Sequence, residues 1–120
     1  YSHDNDKVLL MNYPGREGLR GLPGGHLEPD ELPDEALVRE IKEELGVTID
    51  DFNKGDFFMR GGRGSSVILA YTGSAPADIA LNPPHPENEF GIWVTKSELE
   101  MTEDISSEYK RFTLHHWPIN

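Results

Sequence analysis

Between Pro33 and Gly46 the chain reads PDEALVREIKEELG, and this stretch constrains the fold more than any other. Proline fits the first helical turn, where its missing N–H is not needed. Asp34 and Glu35 suit the positive end of a helix. Leu37, Ile41 and Leu45 recur at four-residue spacing as a stripe to be buried, and Gly46 ends the run. The pattern predicts one long central helix. Lys7 to Met11, Val67 to Tyr71 and Phe90 to Val94 read as buried strands, with Trp93 as a core anchor. Tyr13 to Gly25 reads as loop and turn. Val47 to Phe58 is expected to be extended, interrupted near Asp50-Asp51 and Lys54-Gly55. Ala75 to Pro86 reads as a loop, Ser97 to Leu99 as a short helical turn, and Ile105 to His115 as a final helix. Strands with one central and one late helix indicate a mixed α/β domain. The 120 residues suit a single domain over 1–120, with no repeat or linker. The first strand starts so early that little precedes it to complete a sheet, so an N-terminal strand is expected to be missing or supplied by a partner chain in a homodimer.

The helix is crowded with carboxylates. Arg20 to Val47 holds Glu28, Asp30, Glu31, Asp34, Glu35, Glu40, Glu43 and Glu44, eight of the chain's 22 acidic residues. Glu40 lies three residues before Glu43 and four before Glu44, so the three fall along one helix edge and repel one another. A hard divalent cation such as Mg²⁺ reverses that sign, because it takes oxygen ligands. The glycine-rich turn before the helix brings backbone carbonyls to the same place, and the planar fork of Arg39 suits holding a neighbouring carboxylate. The plainer alternative is a solvated acidic helix face.

The formal net charge of −11 disfavours long nucleic acid and anionic membranes as partners. No apolar run is long enough to span a bilayer. The absence of cysteine excludes disulfides and thiolate metal sites and is compatible with a cytoplasmic location.

The stretch from Gly25 to Val47 resembles the Nudix box of the Nudix (MutT-type) hydrolases. That pattern is glycine, five residues, glutamate, seven residues, then Arg-Glu-aliphatic-any-Glu-Glu-any-Gly-aliphatic. Gly25, Glu31, Arg39, Glu40, Ile41, Glu43, Glu44, Gly46 and Val47 fill every constrained position. The resemblance implies an α/β/α sandwich with a mixed β-sheet and the carboxylate helix packed on it. It implies Mg²⁺- or Mn²⁺-dependent hydrolysis of a nucleoside diphosphate linked to another group, by water attack on phosphorus. It also implies Glu40, Glu43 and Glu44 as metal ligands, aided by a backbone carbonyl at Gly24 or Gly25, with Glu31 and Arg39 orienting the box. Family members differ in the general base, some using a box glutamate and others a glutamate on a distant loop. Here Glu89, at the start of the Phe90 strand, is expected to approach the metals as ligand or base, with Glu40 as the competing base. The other readings are a nucleotide- or metabolite-sensing module without turnover and an RNA-end pyrophosphohydrolase.

Outside the box, Arg16 and Arg20 are candidates for substrate phosphate. Arg60 to Gly64, RGGRG, reads as a hairpin turn. His26 reads as incidental, and the adjacent His115 and His116 do not suit a shared metal. Tyr13, Phe57, Phe58 and Tyr71 could stack on a base, with core packing as the default expectation.

Overall fold

The computed structural model describes residues 1–12, 20–49, 51–60, 66–76 and 90–118. Five strands and three helices are assigned among them: β1 (Lys7–Asn12), β2 (Arg20–Gly21), α1 (Pro33–Leu45), β3 (Phe52–Arg60), β4 (Ser66–Gly73), β5 (Phe90–Thr95), α2 (Lys96–Met101) and α3 (Ser107–His115).

β1 is the middle strand of a three-stranded antiparallel sheet ordered β2-β1-β5. Its residues alternate between two cores, as the period-2 geometry of a strand demands. Val8 and Leu10 join Val94, Leu99 and Ile105, against which Tyr109 and Leu114 of α3 pack. Leu9 and Met11 join Ile41 and Leu45 of α1. α1 therefore lies on one face of this sheet and α2 and α3 on the other, the expected α/β/α sandwich. The mixed character enters through residues 1–3, which run parallel to the chain after β4. Ser2 bridges Ala75, Tyr1 N donates to Gly73 O, and His3 N donates to Ala75 O.

α1 begins with Pro33 at its first position, and Glu35 Oε1 accepts the Leu32 N–H at 3.0 Å. It stops at Gly46, whose φ of 73° is left-handed and suits a residue without a Cβ. Its buried positions are Ala36, Ile41 and Leu45, while Leu37 is only partly covered. α2 and α3 start on Thr95 and Ser106, whose hydroxyls accept the Glu98 and Tyr109 amides. α3 thus starts two residues later than the pattern suggested, and Ile105 is a core residue ahead of it.

β3 and β4 form a separate antiparallel hairpin with a register shift between Lys54 and Phe57, where the sequence suggested an interruption. The turn expected at RGGRG falls on residues 61–64, which lie outside the described region. Two expectations are corrected here. Val67 to Tyr71 is not a buried strand, because Val67 and Leu69 are exposed. Phe57 is not in the core either. α3 covers the other face of the hairpin, where Phe58 meets Tyr109 and Phe112. The two-residue strand β2 inside the predicted 13–25 loop was also missed, being too short to carry a period.

Candidate active site on the carboxylate helix

α1 presents its acidic edge to the turn that precedes it. Arg39 is the centre of the arrangement. Its Nε donates to Glu31 Oε2 at 2.7 Å and its Nη2 to Glu31 Oε1 at 3.0 Å, the paired geometry that a planar guanidinium favours. Nη2 also donates to the His26 carbonyl at 3.0 Å. Nη1 donates to Glu40 Oε1 at 2.8 Å and to Glu43 Oε2 at 3.3 Å. One side chain therefore ties the loop at residues 26–31 to the helix. Glu31 also accepts the Glu28 N–H at 2.9 Å. The Arg39 hydrogen bonds, then that amide, hold the Glu31 carboxyl down to about 2, well below its usual 4.5. The same bonds hold the Arg39 guanidinium more firmly protonated.

The turn at Gly24 and Gly25 meets two of the box carboxylates. Gly24 has a φ of 152°, and its N–H donates to Glu44 Oε2 at 3.0 Å. A Cβ placed on Gly25 would overlap the Glu40 carboxylate, so a glycine is required for the backbone and the acid to approach this closely. Glu40 and Glu44 thus face the turn, while Glu43, four residues after Arg39, is drawn to the guanidinium. Among the described residues, no three carboxylate or imidazole side chains already stand together as a metal-holding group. The donor chemistry nevertheless fits a hard divalent cation. Glu40, Glu43, Glu44 and the Gly25 carbonyl offer oxygen alone, and the missing Cβ at Gly25 leaves backbone and carboxylate in direct apposition.

The remaining sequence candidates are placed unevenly. Arg16, Tyr13 and Glu89 lie outside the described residues, and Arg20 is described only as backbone in β2. His26 contributes its carbonyl rather than its ring, a role its side chain could not reveal. His115 and His116 share no metal geometry. Their rings are edge to face at 5.0 Å, and His116 Nε2 lies 2.9 Å from Asp56 Oδ2. Sequence reasoning missed one link across the site: Tyr71 OH on β4 donates to Asp34 Oδ1 at 2.6 Å, which pushes the phenol up to about 12. A cavity of about 720 Å³ lies between α1, β1 and β4. Gly24, Gly25, Glu40 and Glu44 border it on one side, and Val67, Leu69 and Tyr71 on another. Trp93 also borders it, and its buried Nε1 has no hydrogen-bond partner among the described residues.

A segment of 44 residues is 48% identical to the CTP pyrophosphohydrolase of Escherichia coli (strain K12), covering 34% of this chain and 33% of that protein. A segment of 49 residues is 49% identical to the mouse diphosphoinositol polyphosphate phosphohydrolase 3-alpha, covering 38% of this chain and 28% of that one. The matched region is thus about a third of each relative's length. The crystal structure of a NUDIX-family hydrolase from Clostridium perfringens superposes with a TM-score of 0.72 at 20% identity, over 92% of this chain and 87% of that one, which shows a shared fold. The NUDIX domain family model matches residues 2–115. With nearly its whole length matched and every constrained box position filled, the chain belongs to the NUDIX domain family.

Proposed function

We propose that the chain is a Nudix pyrophosphohydrolase that cleaves a diphosphate bond in a nucleoside diphosphate linked to another group. The single observation that carries this reading is the apposition of Glu40 and Glu44 to the Gly24–Gly25 turn, inside a box whose carboxylates are all present. A bound Mg²⁺ or Mn²⁺ would neutralise phosphate oxygens and acidify water there. Glu40, Glu43 and Glu44 would hold it, with the Gly25 carbonyl as a further donor. Arg39 fixes one oxygen of Glu40 by a 2.8 Å bond and so limits which way that carboxylate turns. The attacking water must lose its proton to a carboxylate within hydrogen-bond reach. Glu89 and Glu40 are the two candidates for that base. Arg16 and Arg20 are proposed as phosphate contacts, and residues 1–120 as one domain.

The names of the curated relatives support a phosphorylated small-molecule substrate. A sensing module without turnover has no need of the full carboxylate set, and the charge of −11 weighs against a long RNA. Among the described residues no helix is long and apolar enough to cross a membrane. The test is release of phosphate or pyrophosphate, with millimolar Mg²⁺, from nucleoside triphosphates, ADP-ribose, dinucleoside polyphosphates and a capped oligonucleotide. Turnover of at least one mononucleotide derivative is expected. Turnover of the capped oligonucleotide alone would favour the RNA-end reading, and none at all the sensing module.

A further inference from the structure

α1 and the β3–β4 hairpin are two walls of the cavity, and each is anchored on a different partner. α1 packs through Ile41 and Leu45 on Leu9 and Met11 of β1. The hairpin packs on α3, where Phe58 meets Tyr109 and Phe112, and where a Cβ on Gly55 would overlap the Phe112 ring. Arg39 ties α1 to the loop at residues 26–31, not to the hairpin. The separation of the two walls therefore depends on what joins them directly. One such join is the side-chain hydrogen bond from Tyr71 OH on β4 to Asp34 Oδ1 in the first turn of α1, at 2.6 Å. Tyr71 borders the cavity, as do Pro33 and Ala36 on either side of Asp34, so the bond lies at its edge. Both ends are braced. The Tyr71 ring stands edge-on to Phe52, with centroids 5.7 Å apart and planes at 79°. Asp34 follows Pro33, whose ring fixes the backbone at the helix start. The bond also keeps the phenol protonated up to about 12, so the donor persists across neutral pH.

We propose that the Tyr71–Asp34 bond is a strut that holds the cavity at its binding width, and that Tyr71 is a positioning residue for the substrate. The inference rests on the proposed hydrolase reading and adds to it the pair that orders the two walls before the substrate arrives. A ligand that touches both walls must otherwise fix their separation as it binds, and ordering the protein during binding weakens affinity. With the strut made, that ordering is complete in the free protein. The box carboxylates do not depend on it. Glu40 is held by Arg39 at 2.8 Å and Glu44 by the Gly24 N–H at 3.0 Å, both away from the hairpin. Cutting the strut therefore acts on substrate binding and leaves the metal-holding edge of α1 in place. It raises KM, with little change in kcat or in affinity for Mg²⁺.

The test compares four variants with the wild type. Tyr71→Phe removes only the phenolic oxygen and keeps the ring against Phe52. Asp34→Ala removes the acceptor. Asp34→Asn removes the same charge from the first turn yet leaves a carbonyl oxygen to accept the phenol. The fourth is the double variant Tyr71→Phe/Asp34→Ala. GMP has no diphosphate bond to cleave, so its Kd, measured by calorimetry with millimolar Mg²⁺, reads binding without turnover. The expected result is a Kd weakened about tenfold in Tyr71→Phe, in Asp34→Ala and, to the same extent, in the double variant, because one bond is lost in all three. Asp34→Asn should stay within about twofold of the wild type, since its acceptor remains. In turnover, KM for GTP should rise by the same factor, with kcat and Mg²⁺ affinity nearly unchanged. An unchanged Kd in Tyr71→Phe would overturn the strut, and so would no GMP binding by the wild type. Equal losses in Asp34→Asn and Asp34→Ala would assign the effect to charge and overturn it too. So would additive losses in the double variant, or a matching fall in kcat and Mg²⁺ affinity, which marks general distortion of the box. The expected pattern of GMP binding in a wild type that hydrolyses no nucleotide would uphold the strut and overturn the hydrolase reading.

Discussion

Arg39 shows how one residue sets the charge state of its surroundings. Its paired bonds to Glu31 keep that carboxyl ionised down to about 2, against 4.5 when unconstrained. A depressed carboxyl stabilises the fold above the unfolded value, and that contribution is lost as pH falls from about 4.5 to about 2. Acid unfolding followed by circular dichroism is therefore expected to be less steep in that window for Glu31→Gln than for the wild type. The variant should also be less stable at pH 7. Added salt should narrow the difference, since solvent reaches the pair. An identical acid profile in the two proteins would remove the Glu31–Arg39 pair from the stability of the loop. The general base is decided at the same scale. Glu40→Gln and Glu89→Gln are compared by pH–rate profile at saturating metal, and the variant lacking the true base should lose orders of magnitude in kcat together with its acidic limb. A Glu89→Gln enzyme with normal kcat and metal affinity would take Glu89 out of the site.

At the scale of elements, α1 was legible because several signals agree: Pro33 at its start, Ile41 and Leu45 facing the sheet, and Gly46 in the left-handed cap. The carboxylate spacing that the sequence reveals is also the spacing the helix displays. What the sequence could not show is how Arg39 divides the carboxylates, because that depends on a loop folding back to place Glu31 and the His26 carbonyl within reach. Nor could it show that β4 is open on one face. Val67-Ile68-Leu69-Ala70-Tyr71 reads as apolar throughout, and a continuous apolar run does not reveal which face is covered. The covered side was decided by α3, far along the chain. For α1, neighbouring like charges destabilise the helix, and a cation bound as proposed would offset that repulsion. Millimolar Mg²⁺ is thus expected to raise the melting temperature of the wild type, by about 2.7 kcal/mol of added stability at a hundredfold excess over Kd. It should raise that of Glu43→Gln and Glu44→Gln much less. Without metal these two variants should be as stable as the wild type or a few tenths of a kcal/mol more so. An equal Mg²⁺ shift in all three proteins would place the cation elsewhere.

Over the whole molecule, the sandwich places the acidic edge of α1, the Gly24–Gly25 turn and the face of β4 around one cavity. Eight of the 22 acidic residues lie between Arg20 and Val47, so much of the net charge of −11 is concentrated around the proposed site. The most direct measurement is release of phosphate or pyrophosphate from CTP and GTP by wild type and Glu44→Gln, with millimolar Mg²⁺ and again after excess chelator. The expected result is turnover by the wild type with Mg²⁺, abolished by chelator and reduced by orders of magnitude in a folded Glu44→Gln protein. Wild-type turnover undiminished by chelator, or full activity in Glu44→Gln, would contradict the assignment of the carboxylate helix as the metal-dependent catalytic centre.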